Sequence, residues 1–111
     1  MTTVLHVENS PTVRAILKAR LRRAFPGIEV VEARSVESAW VALTLLRSRI
    51  YDLVVLDWSL PDGKASDLLH LLDGLRRVVV TANPSEVEGF VEVLDKADPK
   101  WVDAVIGRIR R

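Results

Sequence analysis

The chain of 111 residues contains no cysteine and no glutamine. Without cysteine there are no disulfides and no thiolate metal sites. Glycine is scarce, with five in all, and none stands in "ENSPT" after the first apolar run. A glycine-rich phosphate loop at that place is therefore excluded. Charge of one sign is also lacking. Sixteen Lys and Arg face fifteen Asp and Glu, for a net charge of +1. Bulk charge thus supplies no attraction to nucleic acid or anionic membrane. No apolar run approaches the ~20 residues that span a bilayer. The start, "MTTVLHVENSP", has no basic segment leading into a long apolar one, so no secretion signal is expected. The expectation is a soluble cytoplasmic protein without a membrane partner.

What is present is enough for a core. Hydrophobic residues make up 49% of the chain, which excludes a disordered composition. The length predicts one domain, 1–111. Short apolar runs alternate with helical patterns. "VLHV" (4–7) is a strand, and Ser10 with Pro11 starts a helix carrying Val13, Ile16, Leu17, Leu21, Ala24 and Phe25 at helical spacing. "FPG" at 25–27 stops it. "IEVVEA" (28–33) predicts a second strand, and Ser35 caps a helix with Val36, Ala39, Trp40, Leu43 and Leu46. "YDLVVLD" (51–57) is nearly continuous in apolar residues, as a central parallel strand requires. The loop "SLPDG" leads to a leucine-rich helix over Leu68, Leu69, Leu71, Leu72 and Leu75, closed near Gly74. "RVVVTA" (77–82) and "FVEVL" (90–94) predict the last two strands, and Trp101, Val102, Val105, Ile106 and Ile109 the last helix.

This alternation predicts a parallel sheet covered on both faces. Sites in such sheets lie at the carboxyl ends of the strands. There stand Glu8 and Asn9, Asp57, Thr81, then Asp95 and Lys96. One crossover is too short. Only "ANPSEVEG" separates Thr81 from Phe90, less than the dozen or so residues a parallel connection usually needs, so its helix is expected to be vestigial.

Four segments and the alternation between them, matched in order over nearly the full length, resemble the receiver domain of bacterial two-component response regulators. They are "VLHVENSPTVRAIL", "YDLVVLDWSLPDG", "VVVTAN", "VLDKADPKWVDAVIGRI" and the strand–helix alternation between them. The resemblance implies a flavodoxin-like, doubly wound α/β fold of five parallel strands in the order 2-1-3-4-5, here with a short or missing fourth helix. It implies a signalling module rather than an enzyme. Asp57 takes the place of the phosphoryl acceptor. Thr81 takes that of the hydroxyl that bonds a phosphoryl oxygen, and Lys96 that of the ammonium that pairs with it. Glu8, Asn9, Asp57 and the backbone carbonyl of Ser59 stand where Mg²⁺ is held. The implied partners are a sensor histidine kinase or phosphotransfer protein and a downstream protein.

The chain departs from the pattern at several places. Asn9 replaces the second acid of the opening pair, so weaker Mg²⁺ binding is expected. Ala97 follows Lys96 where a proline is usual, Val93 stands where an aromatic is usual, and Ala65 where a glycine is usual. These departures keep a second reading open, a pseudo-receiver that binds partners without phosphorylation. A remote third is a small flavodoxin-like protein binding nucleotide or flavin. His6 reads as a packed strand residue and His70 as a helix-face residue. Trp40 and Trp101 read as core or interface, and Trp58 as an aromatic near the site mouth. The basic groups "KARLRR" (18–23) and "GRIRR" (107–111) read as solvated helix faces, not as direct nucleic-acid contacts. Phe90, Val91 and Val93 form an apolar remnant that could join two copies in a homodimer.

Overall fold

The computed structural model describes residues 2–45 and 51–111. Leu46, an expected position of the second helix, lies outside the described residues. The main sheet holds β1 (Thr3–Val7), β2 (Glu29–Ala33), β3 (Leu53–Asp57), β6 (Arg77–Thr81) and β7 (Val93–Asp95). Between β3 and β6 a small antiparallel ribbon forms from β4 (Ser59–Leu60) and β5 (Gly63–Lys64). The main sheet is parallel throughout, in the order β2-β1-β3-β6-β7. Leaving the ribbon aside, that is the expected 2-1-3-4-5.

The two-residue period of the strands sorts the core into two layers. Leu5, Val7, Val54, Leu56 and Val79 face one side, with Ala39 and Ala42 of α2 (Val36–Thr44) and Leu68 and Leu72. Val4, Leu53, Val55, Val78 and Val80 face the other side. There they meet Leu17 and Leu21 of α1 (Pro11–Ala24) and Trp101, Val102 and Val105 of α3 (Trp101–Arg110). Each fully buried leucine contributes about 1.5–3 kcal/mol by leaving water. The central strand β3 is buried along its whole apolar length because helices cover both faces.

Local chemistry sets the helix starts. Ser10 Oγ accepts the Val13 N–H at 3.3 Å, and Pro11 opens α1. Ser35 and Ser38 form a reciprocal cap on α2. A distant group completes that cap: the Asp62 carboxylate accepts the N–H groups of Val36 at 2.7 Å and Glu37 at 3.0 Å. This ties the ribbon turn to α2. Gly63 sits where a Cβ would run into the Asp67 carboxylate and crowd Val36.

Three expectations need correction. The leucine-rich segment is a 3-10 helix, Ala65–Leu71, not an α-helix. Seven residues are too few for an apolar pattern to separate a period of 3.0 from 3.6, and Leu72 and Leu75 donate to carbonyls three residues back. The last strand starts at Val93, not at residue 90. Phe90 instead turns its ring onto Trp58, centroids 6.4 Å apart and edge to face, while Val91 is fully exposed. Trp40 is 45% exposed, so of core or interface only the interface reading remains; Ala39 and Ala42 fill the buried side of α2. The crossover helix is vestigial as expected, one 3-10 turn at Pro84–Glu86.

Candidate functional site

Register brings the predicted rim together. Val7 pairs with Leu56, which sets Glu8 beside Asp57. Asp57 pairs with Val80, so Thr81 stands one residue beyond it on the next strand. Thr81 pairs with Asp95, and the Lys96 N–H donates to the Thr81 carbonyl at 2.8 Å. Glu8 lies on the Val4 side of β1, and Asp57 on the Leu53 side of β3, so both open toward α1 and α3. Trp58 follows with opposite parity. It is buried in the other layer, not at the site mouth, because the alternation that opens Asp57 to the rim turns its neighbour inward.

Lys96 joins the carboxylates. Its Nζ donates to Glu8 Oε1 at 2.8 Å and lies 3.4 Å from Asp57 Oδ2. The second oxygen of Glu8 accepts the Ser10 N–H at 3.0 Å. Both oxygens of this buried acid therefore have donors. Burial pushes the Glu8 carboxyl up, but the bonds from Lys96 and Ser10 outweigh it and hold the group below its ordinary range. Asp57 goes the other way. Burial and then the charge of Glu8 raise it, and Lys96 only partly offsets them. Glu8 is thus the fixed charge of the pair, and Asp57 the more basic carboxylate.

The remaining positions are less engaged. Thr81 is buried, and its Oγ1 accepts the Asn83 N–H at 3.1 Å, which leaves the hydroxyl hydrogen to donate elsewhere. Asn9 is exposed at the tip of the same rim. Ser59 stands two residues past Asp57, in the ribbon. His6 is buried beneath Glu8. Burial lowers its pKa to about 4, so it is neutral at pH 7, and its Nδ1 has no partner. His70 is exposed on its 3-10 helix.

Several supports were not singled out from sequence. Arg14 donates to the carbonyls of Glu8 at 2.8 Å and Asn9 at 3.0 Å, pinning the loop that carries both. No cis peptide bond occurs among the described residues. After Lys96 the Asp95 carboxylate accepts the Ala97 N–H at 2.8 Å, and this turn presents the lysine without a proline. An Asp two residues before Ala97 was a readable signal for that turn. The reach of Arg14 to two carbonyls was not.

The donors suit a hard cation in kind: carboxylate, amide and carbonyl oxygens, with no sulfur. They are poor in charge. Among the described residues no cluster of three or more acidic, histidine or cysteine groups exists, because Asn9 holds the third place. With Lys96 between them, Glu8 and Asp57 leave the rim at a net −1.

No family model and no curated protein matches the sequence. Solved structures do match its fold. The response regulator TrrA of Thermotoga maritima, in complex with Mg²⁺ and a beryllofluoride, is 23% identical. It aligns over 98% of this chain and 99% of its own, with a TM-score of 0.76. A sensor protein from Polaromonas sp. JS666 is 26% identical over 99% of this chain and 94% of its own, at 0.77. The response regulator MaeR bound to beryllium trifluoride is 26% identical over 99% and 98%, at 0.64. The chain has the fold of response-regulator receiver domains along nearly its whole length.

Proposed function

We propose that this receiver-fold chain accepts a phosphoryl group at Asp57 from a phosphohistidine of a kinase or phosphotransfer protein, and signals through protein contacts. The observation that carries this reading is the grouping of Asp57 with Glu8 and Lys96. A carboxylate of raised pKa lies beside a fixed negative charge and an ammonium that reaches both acids. In the transfer an Asp57 oxygen attacks phosphorus, a P–O bond forms, and the P–N bond to histidine breaks with its electron pair returning to nitrogen. Lys96 already lies between the two acids, so a small swing of its Nζ brings it onto the arriving phosphoryl oxygens. Thr81 would donate its hydroxyl hydrogen to the same group. Glu8, Asp57, the Asn9 amide oxygen and the Ser59 carbonyl would hold Mg²⁺. When bound, that ion neutralises charge on the phosphoryl oxygens. In this reading the module works in the cytoplasm and is not itself an enzyme.

Output would differ from a receiver with a full fourth helix. The crossover 82–92 holds a single 3-10 turn, and its Phe90 touches Trp58, the residue after Asp57. That contact links the acceptor strand to the surface carrying Val91, which offers itself to a downstream partner or a second copy. A monomeric mass at high concentration would count against the second copy.

The pseudo-receiver reading has one observation in its favour. Lys96 makes its shorter bond to Glu8, so the rim is satisfied without any cation. Tryptophan fluorescence separates the two. Adding Mg²⁺ and then beryllofluoride should change the emission of the wild type and leave Asp57→Ala unchanged. A silent wild type at millimolar Mg²⁺ favours the pseudo-receiver.

A further inference from the structure

Two basic segments far apart in sequence, Arg20 to Arg23 and Arg108 to Arg111, meet in the fold. Arg20 and Arg23 of the one and Arg110 of the other line a groove of about 450 Å³ between α1 and α3, together with Ala24, Asp103 and Ile106. Both helices return antiparallel to the strands. The groove therefore opens toward their carboxyl ends, away from the Asp57 rim. Three arginines and one aspartate line it, and the Asp103 carboxylate is already bonded to Arg20. The groove thus keeps a net +2.

Arginines in the last turn of a helix stabilise its carboxyl end, and that alone would explain each of them singly. It does not explain why Arg23 of one helix and Arg110 of another converge on one concavity. Arg110 is held in place by the Phe25 ring, its guanidinium carbon 5.5 Å from the centroid. Arg20 is oriented by Asp103. Among the described residues Arg23 has no hydrogen-bond or ion-pair partner, and it is exposed, so its fork is open to a ligand. Ala24 and the buried Ile106 supply a small apolar floor.

We infer that this groove binds a small ligand carrying two or more phosphate groups. Its volume falls in the range of small-molecule sites. Guanidinium forks match phosphate oxygens in pairs, and a net +2 is matched by closely spaced phosphate charges. Among the described lining residues there is no aromatic to stack a base, and the nearby Phe25 ring is taken by Arg110.

The test is an NMR titration of the labelled full chain with sodium tripolyphosphate in metal-free buffer. The expected result is one saturable set of shifts at Arg20, Arg23 and Ile106. Arg23→Ala should weaken binding about tenfold or more. Arg110→Ala should do the same, and Arg34→Ala, an equal loss of charge outside the groove, should leave it nearly unchanged. Arg23→Ala keeps the test decisive if Arg110→Ala fails to fold. Absence of saturation at millimolar ligand overturns the inference. So does an Arg34→Ala loss as large as that of Arg23→Ala. Citrate binding as tightly as tripolyphosphate would overturn the assignment to phosphate.

Discussion

Replacing Lys96 by methionine should unbalance the rim in a way that Mg²⁺ repairs. Among the described residues the lysine is the one donor to Glu8 Oε1, at 2.8 Å, and the Glu8 side chain is 4% exposed against 22% for Lys96. Removing one partner of a fully buried ion pair costs about 3–5 kcal/mol. The partial exposure of Lys96 lets water relieve part of that, so the expected loss is about 2–3 kcal/mol. The sign of the pH dependence follows from Glu8. Its pKa is depressed in the fold, so its stabilisation is present above the ordinary carboxylate range and is lost as pH falls through the depressed value. The gap between wild type and Lys96→Met should therefore be widest at neutral pH and close on acidification. The variant also changes the rim from a net −1 to −2 and frees Glu8 Oε1. Wild type and variant both gain from Mg²⁺, so the gap closes through the difference in affinity: a cation held ~100 times more tightly by the variant returns about 2.7 kcal/mol more to it at saturation, which is the size of the deficit. Urea unfolding of both proteins, in chelator and in saturating Mg²⁺, measures this directly. The gap should be about 2–3 kcal/mol in chelator and mostly gone in Mg²⁺. A gap that Mg²⁺ leaves unchanged would refute the reasoning that Lys96 and the metal answer the same charge.

Other expectations follow from single groups. Asn9→Asp should tighten Mg²⁺ binding by roughly tenfold or more, since a full charge replaces an amide dipole at the rim; equal affinity by calorimetry sinks that role for Asn9. His6 has a folded pKa of about 4 against 6.5 unfolded, so the unfolded chain binds the extra proton between those values. Stability should fall by about 3 kcal/mol from this group as pH drops from 6.5 to 4, and His6→Val should flatten that slope in urea titrations. An unchanged slope would mean that His6 is not the neutral buried group described. Asp62→Asn should weaken the cap on α2, seen as faster amide exchange at Val36 and Glu37; unchanged exchange there would show that Ser35 and Ser38 suffice.

The order of the sheet and the contents of its rim could be read from the chain because both depend on the two-residue period and on where apolar runs end. β3 announced itself as "LVVLD", and the polar residues at each strand end fell on one edge. What could not be read depended on contacts across the fold. The last strand looked five residues long until Phe90 found Trp58 and left the ladder. Trp58 itself was a matter of parity: one step past Asp57 puts its ring in the opposite layer. The leucine-rich segment was too short for its pattern to distinguish two helical periods. The preference of Lys96 for Glu8 rests on the reach of a glutamate side chain and on the Ser10 N–H beneath it. The basic segments looked like two solvated faces because nothing in their spacing said that α1 and α3 lie side by side.

The central claim is that Asp57 receives a phosphoryl group. Intact-mass measurement after incubation with Mg²⁺ and a small-molecule phosphodonor tests it most directly. The account predicts one added phosphoryl group on the wild type, labile to base and hydroxylamine as an acyl phosphate is, and none on Asp57→Asn. A wild type that gains no mass at millimolar Mg²⁺, or an Asp57→Asn variant that gains the same mass, would contradict it.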